Sequence, residues 1–325
     1  MKTKFTISIA FLMIACFVRA ENPPKSDVKL KANETNIEIT IDGKPFTTYR
    51  FAADEKPPFA RPFFYPVLAS DGTEVTVDRT RSGGDHPHHR SFWVGHGDVF
   101  RAGEETKGTD FWAFPKAGAE PAHQNHVKFE KVEGNGFVET LIWKDLEKKP
   151  MLNETRTVSV MAFPDGARAV DITVKLSSAT DGDVILGDTK EAGFCAIRVA
   201  EGISKKPMLT NSRGADNEKA IWGKPAEWCD ESGEINGKTY GCAVFGHPSN
   251  PRFPTTWHTR AYGLLAPNEF GLSEFDKTKA TPKHTGDLKI AKGESVTFKY
   301  RAIFHTGTAA DAKLDAKYVD FTAVK

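Results

Sequence analysis

The sequence predicts an all-β protein: a large antiparallel β-sandwich with a short C-terminal helix. Three observations predict it. Apolar residues recur with period two in several runs, the side-chain period of a strand buried on one face. Turn-forming pairs separate those runs at short intervals. The chain also holds 27 Gly and 19 Pro in 325 residues, which suits strands and turns better than helices. In chain order, Ile37, Ile39 and Ile41 alternate with polar residues before the Asp42-Gly43 turn, which feeds a strand over 46–51. Strands follow over 127–132, 137–143 and 155–163. Val170, Ile172, Val174 and Leu176 alternate again, as do Val296, Phe298, Tyr300, Ala302 and Phe304. The turns are Asp71-Gly72, Gly134-Asn135-Gly136, Asp165-Gly166, Asp181-Gly182 and Asn236-Gly237. Residues 309–319 are the helix candidate, expected to pack on a sheet edge. No composition break marks a linker, so residues 21–325 read as a single β-sandwich domain whose loops carry the chemistry.

Residues 1–20 read as a signal peptide. Lys2 and Lys4 precede an apolar run over 5–18, and Val18-Arg19-Ala20 ends it with a small residue. The run is short of the roughly 20 residues that span a bilayer, and no later stretch approaches that length, so no integral membrane segment is expected. Cleavage after Ala20 predicts a periplasmic or secreted protein. Lipid attachment at Cys16, within Met13-Ile14-Ala15-Cys16, is the alternative. Loss of Lys2, Lys4 and Arg19 takes the 44 basic residues to 41 against 43 acidic ones, turning a net charge of +1 into −2. A near-neutral chain lacks the basic footprint of a nucleic-acid binder. Cleavage leaves Cys195, Cys229 and Cys242, with no C-x-x-C pair, so neither a disulfide framework nor a thiolate zinc site is indicated. A Cys229–Cys242 disulfide and buried free thiols both remain open.

Chemistry concentrates in residues 85–98, which hold four of the ten histidines, His86, His88, His89 and His96, with Asp85, Arg90, Trp93 and Asp98. In an extended chain His86 and His88 share a face, their Cα atoms roughly 6.8 Å apart, and His89 points the other way. Two such imidazoles can share a substrate oxygen or, as a weaker alternative, a divalent metal ligated by His86 and His88, with Asp85 or Asp98 orienting them. Singly, each histidine is more readily a surface or structural side chain. Four beside Arg90 and Trp93 point to a site.

Further segments carry ionisable groups. Asp188, Lys190 and Glu191 lie between Gly187 and Gly193, where they are either a solvated turn or a general base with a lysine beside it. Trp228 sits next to Cys229-Asp230, and His247 and Asn250 lie in His247-Pro248-Ser249-Asn250-Pro251-Arg252. In an extended run His258, Arg260 and Tyr262 would line one face, a plausible polar cleft floor. Trp93, Trp112 and Trp228 stand in or beside these polar stretches, where indole rings can offer flat platforms ringed by hydrogen-bonding groups, as sugars require.

These motifs carry a resemblance. Asp85-His86-Pro87-His88-His89-Arg90, Trp93-Val94-Gly95-His96-Gly97-Asp98, Asp110-Phe111-Trp112, Gly187-Asp188-Thr189-Lys190-Glu191, Trp228-Cys229-Asp230, the 247–252 run and Trp257-His258-Thr259-Arg260 resemble a family of exported bacterial proteins of unknown function, often labelled PmoA-like or "methane oxygenase PmoA". The label does not imply methane chemistry, because the true monooxygenase subunit of that name is an integral membrane protein. The resemblance implies a galactose-mutarotase-like sandwich, in which His and carboxylate groups act on sugar oxygens.

The resulting expectation is an exported carbohydrate-active protein doing acid/base chemistry on a sugar or sugar acid, of epimerase, lyase or hydrolase type. His88 or His258 would be the general acid and Glu191 or Asp188 the general base. His86, His89, Arg90, Trp93, His96, Asp98, Trp112, Lys190, Trp228, His247, Asn250, Arg260 and Tyr262 would bind substrate. The alternatives are a non-catalytic glycan-binding module and a His-ligated metal enzyme; no cofactor is otherwise expected.

Overall fold

A computed structural model describes residues 26–323, apart from 53–58, 105–107 and 116–118; the leader and Cys16 lie outside the described residues. Two antiparallel sheets pack their apolar faces into one core. The first has seven strands in the order Val28–Ala32, Asn36–Ile41, Lys44–Arg50, Phe63–Val67, Phe92–His96, Ala192–Arg198, Leu264–Leu265. The second has eight: Met208–Asn211, Trp228–Ile235, Lys238–Gly246, Ser295–Thr306, Arg168–Ser178, Pro150–Ala162, Gly136–Lys144, His123–Glu133. A three-stranded sheet is built from Leu288–Ile290, Val184–Leu186 and Val99–Arg101.

The alternation explains the pairing. Val170, Ile172, Val174 and Leu176 stand opposite Ala302, Tyr300, Phe298 and Val296, so two runs with the same period bury one continuous face. That face meets Ile37, Ile39, Phe46, Phe64, Phe92 and Val94 of the first sheet. Asp42 and Gly43 both take positive φ at the first hairpin, as the turn pair predicts.

One expectation changes, for the helix, and one open alternative is resolved, for the cysteines. The helix spans Leu314–Ala323 and covers a face rather than an edge. The second sheet is apolar on its outer side too, at Ala169, Ala243, Phe245 and Ile303, and Leu314 and Phe321 shield that patch from water. All three cysteines of the described chain are free and buried. Cys229 pairs with Val244 and Cys242 with Glu231, two residues out of register with each other.

Candidate functional site

The site is built on the outer face of the first sheet. Along Phe92–His96, Phe92 and Val94 turn into the core, while Trp93 turns outward with Gly95. Trp93 joins Phe63, Trp112, Ala196, Leu264 and Ala266 in a separate apolar cluster there. A Cβ on Gly95 would come within 3.1 Å of the Phe111 carbonyl and 3.3 Å of the Trp112 ring. A glycine is what lets the 111–112 segment lie flat across the strand.

Residues 85–89 fold over this floor, and they are turned rather than extended. His86 takes φ 50°, and the His89 amide donates to the His86 carbonyl at 2.9 Å. His89 is therefore brought beside His86 and His88 instead of facing away, with the three ring centres 4.7 to 5.8 Å apart. The rings form a column. His89 stacks on Trp93 at 5.1 Å, His86 on His89 at 4.9 Å, and Tyr262 on His86 at 4.8 Å. Asp85 anchors the loop through Arg79, through Arg198 at 3.3 Å and through His86 Nδ1 at 3.0 Å. Stacked rings present π faces rather than converging lone pairs. Among the described residues no group of three or more His, Cys, Asp or Glu side chains is placed to hold a metal ion.

The column sets the protonation of its members. Arg198, which only donates, gives a hydrogen bond to His89 Nδ1 at 3.1 Å. The His89 proton is thereby assigned to Nε2, which is buried with no hydrogen-bond partner among the described residues. Burial, then the charges of His88 and Arg198, push the His89 pKa far below its ordinary value. Burial and Arg61 lower His88 to about 3, and burial lowers His258 to about 3. His258 is 2% exposed and lies within electrostatic reach of His86, Lys190 and Arg260. Buried imidazoles among guanidinium groups are neutral at physiological pH.

Glu191 and Tyr262 lie near each other at the rim. Burial raises the Glu191 pKa, and Lys190, 3.4 Å away, opposes that rise. Lys190 also pairs with Glu274 at 3.1 Å. Burial lifts Tyr262 to about 12 despite Arg260, with the Glu191 charge contributing. Arg260 pairs with Glu218 at 3.0 Å and sits 5.5 Å over the Tyr262 ring, so His258, Arg260 and Tyr262 do converge, around a tight turn rather than along one strand face. On the other side Phe114 packs against His88, and with Asp110 and Ala113 it lines a groove of about 630 Å³.

The chain matches the model of a family of unknown function over residues 36–319. It belongs to that family, DUF6807. The description carries no PmoA label, so what stands of the resemblance is membership of an uncharacterised family. No curated protein matches the chain. Among solved structures it is similar to a polysaccharide lyase, with 13% identity and TM-score 0.33, over 89% of this chain and 34% of that one. It is also similar to a 4-α-glucanotransferase from Thermococcus litoralis, with 10% identity and TM-score 0.33, over 86% of this chain and 40% of that one. The chain thus spans well under half the length of either.

The family member at hand leaves several expected residues outside the site. His96 is fully buried between Phe194 and Phe270 on the core side of its strand, because alternation sends it opposite to Trp93. Asp98 accepts from the Gly108 amide at 2.8 Å. Asp188 accepts from the amides of Ser273 and Gly286 at 2.9 to 3.2 Å, which makes it a loop brace rather than a base. Trp228 bonds Asp315 under the C-terminal helix. His247 bonds Ser249 and packs on Phe321 of that helix, and Asn250 bridges both backbone groups of Lys299. Arg90 is buried against Asp78 at 3.0 Å and over Phe63 at 4.0 Å. Trp93 and Trp112 are floor beneath the histidines, 1% and 0% exposed, rather than open platforms.

Three residues of this region escape a sequence reading. Arg61 and Arg198 sit in apolar surroundings with no motif about them. Glu231 is fully buried, with neither carboxylate oxygen hydrogen-bonded among the described residues. Burial, then the neighbouring Asp230 charge, raise its pKa, and Arg198 opposes that rise. The signal for it was two adjacent acids, Asp230 and Glu231, inside an otherwise buried strand.

Proposed function

We propose that this protein is an exported carbohydrate-active enzyme that transfers protons on a sugar held against the His86–His89 loop. A galactose-mutarotase-like use of the sandwich is part of this reading. The observation that carries it is the gathering, around the His86–His89 loop, of three imidazoles kept neutral by burial, His88, His89 and His258, with a carboxyl group of raised pKa and a phenol that keeps its proton.

Glu191 is the general base. A carboxylate made more basic by burial is a better proton acceptor than imidazoles held near 3. For the same reason His88 and His258 do not serve as the general acid expected of them: they carry no extra proton at neutral pH. That role passes to Tyr262, whose hydroxyl stays protonated to about 12. Glu191 takes a proton from a sugar carbon or hydroxyl, and Tyr262 returns one to the departing or re-formed oxygen. His86, His88, His89 and His258 orient the ring through hydrogen bonds, and Lys190 and Arg260 meet developing negative charge. The groove past Phe114 gives room for further sugar units.

The test is a panel of neutral and acidic oligosaccharides, followed by reducing-end release and by the ultraviolet absorbance of an eliminated product. Turnover of at least one member, lost in Glu191→Gln and in Tyr262→Phe with the fold intact by circular dichroism, is the expected result. Binding of the sugar with no turnover of any member would make the chain a glycan-binding module instead.

A further inference from the structure

Two grooves of unlike charge adjoin the histidine site. In the one past Phe114 the charged groups are paired: Arg101 meets Asp145 at 3.0 Å and Glu104 at 3.8 Å, and Lys149 meets Glu147 at 2.6 Å. The other, of about 480 Å³, opens behind His258. Trp222 and Phe275, both half-buried, give it an apolar floor, their ring centres 5.0 Å apart and each within 6.5 Å of the His258 ring. Its walls come from two short helices, Glu218–Ile221 and Leu272–Phe275, and the residues that follow them. Each helix also sends an acid to the rim of the site, Glu218 to Arg260 at 3.0 Å and Glu274 to Lys190 at 3.1 Å. Groove and rim thus share their supports.

The charge of this groove is one-sided. Lys219, Lys224 and Lys277 line it, all exposed, and none has a carboxylate at ion-pair distance among the described residues. Lys277 Nζ stands 5.2 Å over the Trp222 ring. Asp276 is the single acid in the lining, and its oxygens are taken by four hydrogen bonds from Thr278 and Thr281 at 2.6 to 2.9 Å. Glu218 and Glu274 are turned to the rim. An open groove lined by one sign of charge concentrates its field on a ligand of the other sign. Indole and phenyl surfaces accept the apolar face of a sugar ring, and ammonium groups beside them meet carboxylate or sulfate oxygens.

We propose that the Trp222–Phe275 groove is a subsite for anionic sugar units of a chain whose neighbouring unit occupies the histidine site. The proposal rests on the carbohydrate reading above and names the substrate class within it. Lys219, Lys224 and Lys277 select for charge, and Trp222 holds the ring whatever its charge.

Isothermal titration of the full chain with hexasaccharides tests this: hexagalacturonate and a sulfated hexasaccharide against neutral maltohexaose, with an oligodeoxynucleotide as an anion that is not a sugar polymer. At least one anionic hexasaccharide is expected to bind about tenfold more tightly than the neutral one, the sum of three exposed ion pairs of ordinary strength, and to weaken as salt rises. The triple variant Lys219→Gln, Lys224→Gln, Lys277→Gln, confined to exposed side chains, is expected to bring that ligand down to the affinity of maltohexaose. Trp222→Ala is expected to weaken charged and neutral chains together. Maltohexaose binding as tightly as the anionic chains, or a preference that survives in the triple variant, would overturn this inference and leave the carbohydrate reading standing. The oligodeoxynucleotide binding as tightly as the anionic sugars would overturn the assignment to sugar. Binding by no hexasaccharide would remove both readings.

Discussion

The molecule buries two clusters in which arginine, tryptophan and histidine crowd together, and only one of them is closed. Between the sheets, Arg156 bonds Glu154 at 2.7 Å and the Tyr49 hydroxyl at 3.0 Å, and Tyr49 in turn donates to Glu139. Trp143 Nε1 donates to Glu154 at 2.7 Å, and His126 meets Glu139 at 2.6 Å. On the outer face of the first sheet, Arg61, Trp93, Trp112 and His89 hold the same kinds of group, equally shielded, yet each keeps a nitrogen without a partner among the described residues. A satisfied buried network holds a fold together, whereas buried donors left unpaired carry a desolvation cost.

The largest effect expected is on the open side. Glu191→Gln and Tyr262→Phe should each lower turnover by about 10² to 10⁴-fold while the melting temperature barely moves, because neither side chain holds the closed network. Loss of stability with activity retained would place these residues in the scaffold. On the closed side, Arg156→Met should destabilise by about 3–5 kcal/mol in urea unfolding, since it leaves Glu154 buried without its countercharge. The two tryptophans sharpen the comparison further. Trp143→Phe removes one of the two donors to Glu154 Oε2 and should be about 1 kcal/mol more destabilising than Trp93→Phe, which breaks no hydrogen bond among the described residues. Equal losses would mean that the closed and open clusters are energetically alike. The smallest effect is on pH dependence. Glu191 works ionised, so the rate rises with pH through a pKa raised above 4.5. Lys190 holds that pKa down, so in Lys190→Met the acid limb of the pH–rate profile should move to higher pH.

Legibility differed between strand and loop. Ile37 to Ile41 and Val170 to Leu176 announced themselves, because each has one dry and one wet face and the period of two survives in the sequence. The strand Trp228–Ile235 is buried almost throughout, so it shows no alternation; its Trp228-Cys229-Asp230 read as a polar cluster for that reason. Composition alone locates the histidine-rich loop, but not its geometry. An extended reading sends His89 away from His86, and the positive φ at His86 brings the two together.

The sequence by itself determined the all-β class, the turn positions and the segment where the histidines gather. Those features follow from local chemistry: a side-chain period, a turn pair, a density of one residue type. Tertiary structure alone decided which of them form the site. Alternation put Trp93 under the cleft and His96 in the core three residues apart, the fold committed Asp188 and Asn250 to backbone amides and carbonyls, and it brought Arg61 and Arg198 to the histidines from distant strands and loops. A side chain's role depends on which partners are already taken, and partners are assigned only when the sheets close.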